Sequence, residues 1–381
     1  MPHSPDEPRR PSLSVVRELT DRHVVEQLLA TAELTRAELA SRTHISKPTI
    51  SEAVRRLAEA GVVEESGQQL GRRGPAGTFY RLRADVGVAV AASAGPDGVA
   101  VETLDLRGVL VERCHTPVPV PTTRAALDPV LRAATERVVA TAPGPVLAAT
   151  LSVAGPVDRT TGRLVHLPDS PFLVDDLDPV PLLQPLLGLE PAVDNDVDWA
   201  ALAEREVGSA RGLDDFVYLF LGPGLGGAVV TGGRIAHGGR GLAGEIAHLL
   251  TVGARGRAVR LIEAFVELGL RRADSLALDL DLVRSALDGR TAGDRSTRDR
   301  ILSSLAAAIG SIAALLDPAA VIVGGPWGDH PVLVDRLPTA VAATTVVPTE
   351  LRFADLGPDA PHLGARLAAV RAAREVLTGL A

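Results

Sequence analysis

Three groups of residues between Val193 and His248 have the types and spacing to do chemistry on a small polar molecule. Asn195-Asp196 stands directly ahead of a helical run, V-D-W-A-A-L-A-E-R-E. The stretch G-P-G-L-G-G at 222–227 reads as a glycine turn between the strand-like runs F-V-Y-L-F-L and A-V-V-T. The stretch A-G-E-I-A-H then brings Glu245 and His248 behind further glycine. A carboxamide, carboxylates and an imidazole offer donors and acceptors to a small-molecule pocket, and a glycine turn offers backbone amides to a phosphate. The same residues also have a plainer reading. Asn and Asp lead the preferences for capping a helix, so Asn195-Asp196 fits a cap as well as a ligand contact, and the two roles can coexist. His248 taken alone fits a half-buried histidine satisfied by its neighbours.

The elements around these residues follow from composition and pattern. Of 381 residues 46% are apolar but only 3% aromatic, so Ala, Val and Leu must build the core. The length allows two or three domains. The single cysteine, Cys114, excludes an intrachain disulfide framework and a Cys-rich zinc site. No run of about 18 uncharged apolar residues points to a membrane span. The opening M-P-H-S-P-D-E-P-R-R-P lacks the apolar segment of a signal peptide. Residues 1–11 are expected to form a disordered tail, and the protein is expected to be cytoplasmic. The net charge of −8 is uneven: residues 1–83 carry +2 and the remainder −10. A mildly basic head on an acidic body is compatible with nucleic-acid binding by the head.

Within that head, Val15 to Leu29 reads as a helix. Thr35-Arg36-Ala37-Glu38 is a capping box opening a second helix, which runs to about Thr43. Ser46 can cap a third, with Pro48 tolerated in its first turn and Ile50, Val54 and Leu57 on one face. Gly61 stops it. Two short helices joined by a tight turn make a helix-turn-helix, the second exposing Ser46, Lys47, Thr49, Ser51, Glu52, Arg55 and Arg56. Val62 to Glu65 and Thr78 to Leu82 form a β-hairpin whose tip carries Arg72 and Arg73. A hairpin so placed is a wing reaching a phosphate backbone or a minor groove. Residues 12–83 are therefore read as a winged helix on double-stranded DNA. In it Arg55 and Arg56 are assigned to phosphates rather than bases, and Glu52 either accepts from a cytosine amine or is solvated.

The body, residues 84–381, reads as α/β. Strands are predicted at 86–92, 99–111, 145–153, 216–221, 228–231 and 321–325. Helices are predicted at 124–142, 197–207, 259–273, 298–316 and 362–379. The strand–turn–strand opening at Val86 is echoed at Phe216, which predicts two related lobes with a cleft between them.

Six segments in order carry a resemblance: S-V-A-G-P-V-D at 152–158, D-N-D at 194–196, G-P-G-L-G-G at 222–227, A-G-E-I-A-H at 243–248, D-P-A-A-V-I-V-G-G at 317–325 and L-G-A at 363–365. Together, behind a winged helix, they resemble the ROK family of repressors and sugar kinases, nearly throughout the chain. The resemblance implies a winged helix followed by a two-lobed, actin-like body, and a homodimer or dimer of dimers. It implies that Asn195, Glu245, His248 and Glu263 contact sugar hydroxyls. Asp196 matches the position that acts as general base in the kinases.

Two departures bear on activity. The kinases carry D-x-G-x-T in the first hairpin, whereas Ala89 to Pro96 holds no carboxylate or threonine there, and Asp97 follows the turn. Pro223 replaces the usual Thr of the second turn, removing a hydroxyl and a backbone donor. Phosphoryl transfer rests on positioning metal and donors, so the ATP–magnesium site is read as degraded. The family's zinc cysteines are also missing: His248 is followed by L-L-T-V-G-A-R-G-R-A-V-R-L-I-E. No cofactor is expected. The reading is a DNA-binding regulator, a repressor, that takes a sugar or sugar phosphate in the interlobe cleft. The alternatives are an ATP-dependent sugar kinase and a DNA-binding scaffold without an effector.

Overall fold

The computed structural model describes residues 13–68 and 77–379, except 166, 168, 169, 174, 254, 274, 276 and 347. The expected tail at 1–11 and the wing-tip Arg72 and Arg73 lie outside the described residues. The head comprises α1 (Leu13–Ala30), β1 (Leu34–Thr35), α2 (Arg36–Thr43), α3 (Lys47–Glu59), β2 (Val63–Gln68) and β3 (Thr78–Leu82). Its capping box forms: the Glu38 N–H donates to Thr35 Oγ1 (3.2 Å) and the Thr35 N–H to Glu38 Oε2 (2.8 Å). His44 then reverses the chain at φ 56°, and Ser46 caps α3. Ile50, Val54 and Leu57 bury one face of α3 against Val24, Leu28 and Leu39. With β3 paired between β1 and β2, helices and hairpin share one small core.

Two lobes follow. The first holds β4 (Val88–Gly95), β5 (Gly98–Leu104), β6 (Leu110–Thr116), α4 (Arg124–Ala140), β7 (Val146–Val153), α5 (Pro179–Leu187) and β8 (Ala192–Asn195). From there α6 (Asp196–Val207) leads to β9 (Phe216–Leu221), β10 (Leu225–Thr231) and β11 (Arg234–Ile235). A small ribbon of β12 (Leu250–Val252) and β13 (Ala258–Arg260) precedes α7 (Leu261–Glu267), α8 (Leu280–Asp288) and α9 (Ala292–Leu316). Then come β14 (Ala320–Gly324), α10 (Pro331–Ala342), β15 (Leu351–Phe353) and α11 (Ala360–Leu377). The two five-stranded sheets have the same plan, β6-β5-β4-β7-β8 and β11-β10-β9-β14-β15. In each, the first three strands are antiparallel and the last two parallel. The central strands β4 and β7 are buried on both faces, as their near-continuous Val/Ala/Leu runs require. The last helix does not stay with the second sheet: α11 packs on β4, β7 and α6.

Several boundaries differ from the sequence reading for identifiable reasons. The strand expected at 99–111 is two strands, because the Asp105 carboxylate accepts from the N–H groups of Arg107 (2.9 Å) and Val109 (2.8 Å) and closes a turn at Gly108. The helix expected at 259–273 is only Leu261–Glu267, since Ala258–Arg260 pairs with β12 and Gly269 turns at φ 73°. The helix expected at 298–316 begins earlier, at a second capping box made by Thr291 and Asp294. Among the described helices, α9 is long and apolar enough to cross a membrane by length and composition. Its Ile301, Leu305 and Ile309 are buried in the core of the second lobe.

Candidate functional site

The cleft between the lobes holds a cavity of about 750 Å³. It opens where the carboxyl ends of β4, β7 and β8 meet the β9–β10 turn, the position at which open α/β sheets bind ligands. Ser93 and Ser152 come from the first sheet, Pro223 to Gly226 from the second turn, and Pro361, His362 and Arg366 from α11. Asn195, Asp196, Glu245 and His248 all line this cavity. Glycine explains how the last two reach it. A Cβ on Gly244, at φ 96°, would sit 2.1 Å from the Gly227 carbonyl, and one on Gly226 would sit 2.8 Å from Val197. The loop therefore meets the hairpin backbone to backbone, and α6 lays its Val197 side chain on the hairpin, only because side chains are missing at these glycines.

Both readings of Asn195-Asp196 are present in the geometry. The Val197 N–H donates to Asn195 Oδ1 (2.7 Å) and to Asp196 Oδ1 (2.9 Å), so the pair caps α6. The remaining amide and carboxylate atoms stand at the cavity wall. Burial pushes the Asp196 carboxyl up to about 7, against the hydrogen bond from Val197 that favours its charged form. Two residues on, burial and then the neighbouring Asp194 push Asp198 up to about 9.

Glu263 departs from the sequence expectation. It does not line the cavity: its carboxylate accepts from the Arg260 N–H (2.9 Å) and from the Arg260 side chain (2.8 Å and 3.0 Å). That brace ties the start of α7 to β13 and leads on to His248, whose Nδ1 lies 3.5 Å from Arg260 Nη1. The residues after His248 supply no sulfur, so the donor set does not fit the family's zinc. The first turn also differs from the kinases' D-x-G-x-T, its carboxylate, Asp97, standing in the turn at the cavity wall. Gly95 and Gly98 are paired across a tight turn at Pro96-Asp97, with neither carboxylate nor hydroxyl on the end of β4 beyond Ser93. At the second turn, the Trp327 indole holds the Gly222 carbonyl (3.1 Å).

Sequence reasoning missed the corner of the cavity beside α11. There Glu102, wholly buried on β5, faces His362 (3.1 Å), Arg366 (3.3 Å) and Arg113 (3.4 Å). These contacts are ionic, without hydrogen-bond geometry. Burial alone would raise the Glu102 carboxyl, but His362, Arg366 and Arg113 outweigh it and hold it below the usual range. The four residues span 264 positions in sequence, so no local pattern announces them.

On the head, Ser46, Lys47 and Thr49 are exposed at the start of α3, with Ser46 Oγ 2.7 Å from Thr49 Oγ1. Ser51 is partly buried. Arg55 is held by Glu52 (2.6 Å) and Glu59 (2.5 Å) on its own helix. Arg56 is turned inward to Asp21 of α1 (2.6 Å) and is half-buried. Both arginines are thus committed to carboxylates in the free protein, and among the described residues of α3 Lys47 is the remaining cation, exposed at its start.

Comparison with known proteins places these features. The ROK family model matches residues 90–259, and a winged helix-turn-helix DNA-binding model matches residues 17–64. The bifunctional enzyme NanE/NanK of Brucella suis biovar 1 is 34% identical over 182 residues, 47% of this chain and 34% of that protein. The xylose repressor of Bacillus subtilis is 23% identical over 240 residues, 61% of each chain. The chain thus spans about a third of the first relative's length. A solved ROK family transcriptional regulator, a homolog of the E. coli MLC protein, shares the fold across 96% of this chain and 98% of its own, with a TM-score of 0.67 at 18% identity. Residues 90–259 of this chain are thus a ROK family domain, carried behind a winged helix-turn-helix.

Proposed function

We propose that this protein is a transcriptional repressor whose winged helix binds operator DNA under the control of a sugar or sugar phosphate in the interlobe cavity. The observation that carries the reading is the pairing, in one cavity, of a polar wall with an incomplete phosphate site. Asn195, Asp196, Glu245 and His248 offer the mixed donors and acceptors that vicinal hydroxyls need. The first turn has no carboxylate on the end of β4, its Asp97 standing past the strand in the turn itself, and Pro223 interrupts the second. Kinase activity is accordingly read as lost, with Asp196 kept as a ligand contact. Two heads on a homodimer would meet half-sites about one helical turn apart, so a change in cleft closure that alters head spacing alters affinity.

The test selects bound fragments from genomic DNA, then measures affinity for the selected site with and without a panel of sugars and sugar phosphates. A palindromic site, steep salt dependence and a ligand that shifts affinity are expected. Lys47→Ala should weaken binding across sequences and reduce the salt slope by about one. Magnesium-dependent transfer from ATP to a sugar, abolished by Asp196→Asn, would replace the reading with a kinase. Operator binding that no sugar shifts would leave a scaffold.

A further inference from the structure

Just behind the cavity wall, three side chains from separate elements converge on one point. Asp194 ends β8, Asp198 lies in the first turn of α6, and His237 lies on the loop after β11. His237 Nε2 is 2.8 Å from Asp194 Oδ2 and 3.9 Å from Asp198 Oδ2. One ligand atom from each lies within 4.8 Å of the other two. Metal bonds of about 2.0–2.2 Å to nitrogen and oxygen require donor separations of this size.

The charges do not balance within the protein. Asp194 and Asp198 are each only 7% exposed. Arg159, whose side chain is 46% exposed, lies 3.3 Å from Asp194 Oδ2 and spends a hydrogen bond of 2.8 Å on the Val193 carbonyl. It offsets one carboxylate. Asp198 has no cationic partner among the described residues nearer than His237 at 3.9 Å. With both carboxylates ionised the cluster keeps one net negative charge in a largely dry setting, which is costly unless a cation or a proton enters.

We propose that Asp194, Asp198 and His237 bind a divalent first-row transition cation, which clamps the loop after β11 to the first turn of α6. One imidazole and two carboxylates form a mixed N/O set suited to Mn²⁺, Fe²⁺ or Zn²⁺ rather than to a thiolate-bound metal. The half-exposed Arg159 and the loop at His237, whose side chain is 23% exposed, leave a route from solvent. The clamp has a mechanical consequence for the cavity. The loop from His237 leads, through the bond from the Ala243 N–H to the His237 carbonyl (3.1 Å), to Glu245 and His248. Asp194 and Asp198 flank Asn195 and Asp196. A cation here would hold both halves of the polar wall in register, the task left open by the missing cysteines. It departs from the expectation that the chain needs no metal, at a place the sequence did not single out.

The test uses the full chain after chelation and dialysis, with Mn²⁺ followed by paramagnetic resonance and Zn²⁺ by calorimetry; neither DNA nor sugar is needed. One ion per chain is expected, with a higher thermal midpoint and slower amide exchange across residues 236–248. Asp198→Asn should weaken binding at least tenfold while raising the midpoint of the metal-free protein, because it replaces a carboxyl whose charged form burial and Asp194 disfavour with a neutral group of the same shape. His237→Gln should weaken Zn²⁺ binding by a similar factor. The proposal is overturned if neither ion binds stoichiometrically, leaving a proton as the occupant. It is equally overturned if both variants bind as the wild type does, or if exchange across the loop is unchanged by metal.

Discussion

At the scale of single residues, the buried acids carry the most information, and their environments set them apart. Glu204, wholly buried in α6, accepts from the N–H groups of Ser209 (2.8 Å) and Leu356 (2.8 Å) and from the Ser209 hydroxyl (3.0 Å), so its charge is satisfied by loops from both sides. Glu102 is satisfied by cations instead, and its response to pH follows. Its folded pKa lies below that of an unfolded glutamate, near 4.3. The stabilisation it gives is therefore fully present above that value and is lost as pH falls through the lowered one. Glu102→Gln should cost on the order of 1–3 kcal/mol at neutral pH and flatten the acid side of the stability profile. Urea unfolding of both proteins from pH 3 to 7 checks this; parallel profiles would show that the cluster contributes nothing specific.

At the scale of elements, what could be read from sequence was what is encoded locally. Thr35/Glu38 and Ser46 sit within four residues of the amides they cap, so α2 and α3 were legible to within a residue or two. The buried strands β4, β7 and β9 announced themselves by apolar runs. The four ligand candidates that line the cavity were singled out by residue type and by the family resemblance, since nothing local shows that they meet. The ribbon of β12 and β13 was not legible, because its residues read as well for a helix until the Arg260–Glu263 brace and the pairing of Leu250 with Arg260 decide the matter. The Glu102 corner and the Asp194 cluster were hidden because their members meet only after the lobes have folded. One helix crossing shows how strict this level is. A Cβ on Gly364 of α11 would lie 1.9 Å from the Trp199 carbonyl of α6, backbone that cannot give way cheaply. Gly364→Ala should destabilise the body by at least about 2 kcal/mol, read as a lowered denaturant midpoint. An unchanged midpoint would mean that the two helices are not held at this distance.

At the scale of the whole molecule, the apolar clusters of the head and the body join, among the described residues, at the ends of α1 and α11. Leu29 of α1 and Leu377 of α11 pack both against the core of the head and against the cluster beneath the first sheet. At its other end the same helix lines the cavity with His362 and Arg366. At about 1.5 Å per residue its 18 residues span about 27 Å. Leu377→Ala should leave both folds intact, since the residue is only partly buried, yet speed tryptic cleavage between head and body after Arg83. Equal cleavage rates would assign the restraint to Leu29 and the linker instead.

The placement of α11 also governs the order in which the molecule can be completed during synthesis. The first lobe is discontinuous in sequence. Ala89, Ala91 and Ala148 of its sheet are covered by Ala369, Val370 and Ala373, and the Thr150 hydroxyl donates to the Ala365 carbonyl (2.9 Å) across 215 positions. The head can close on the ribosome as soon as β3 emerges. The first sheet must wait, one apolar face uncovered, until α11 has left the exit tunnel, so the lobe translated first is finished last.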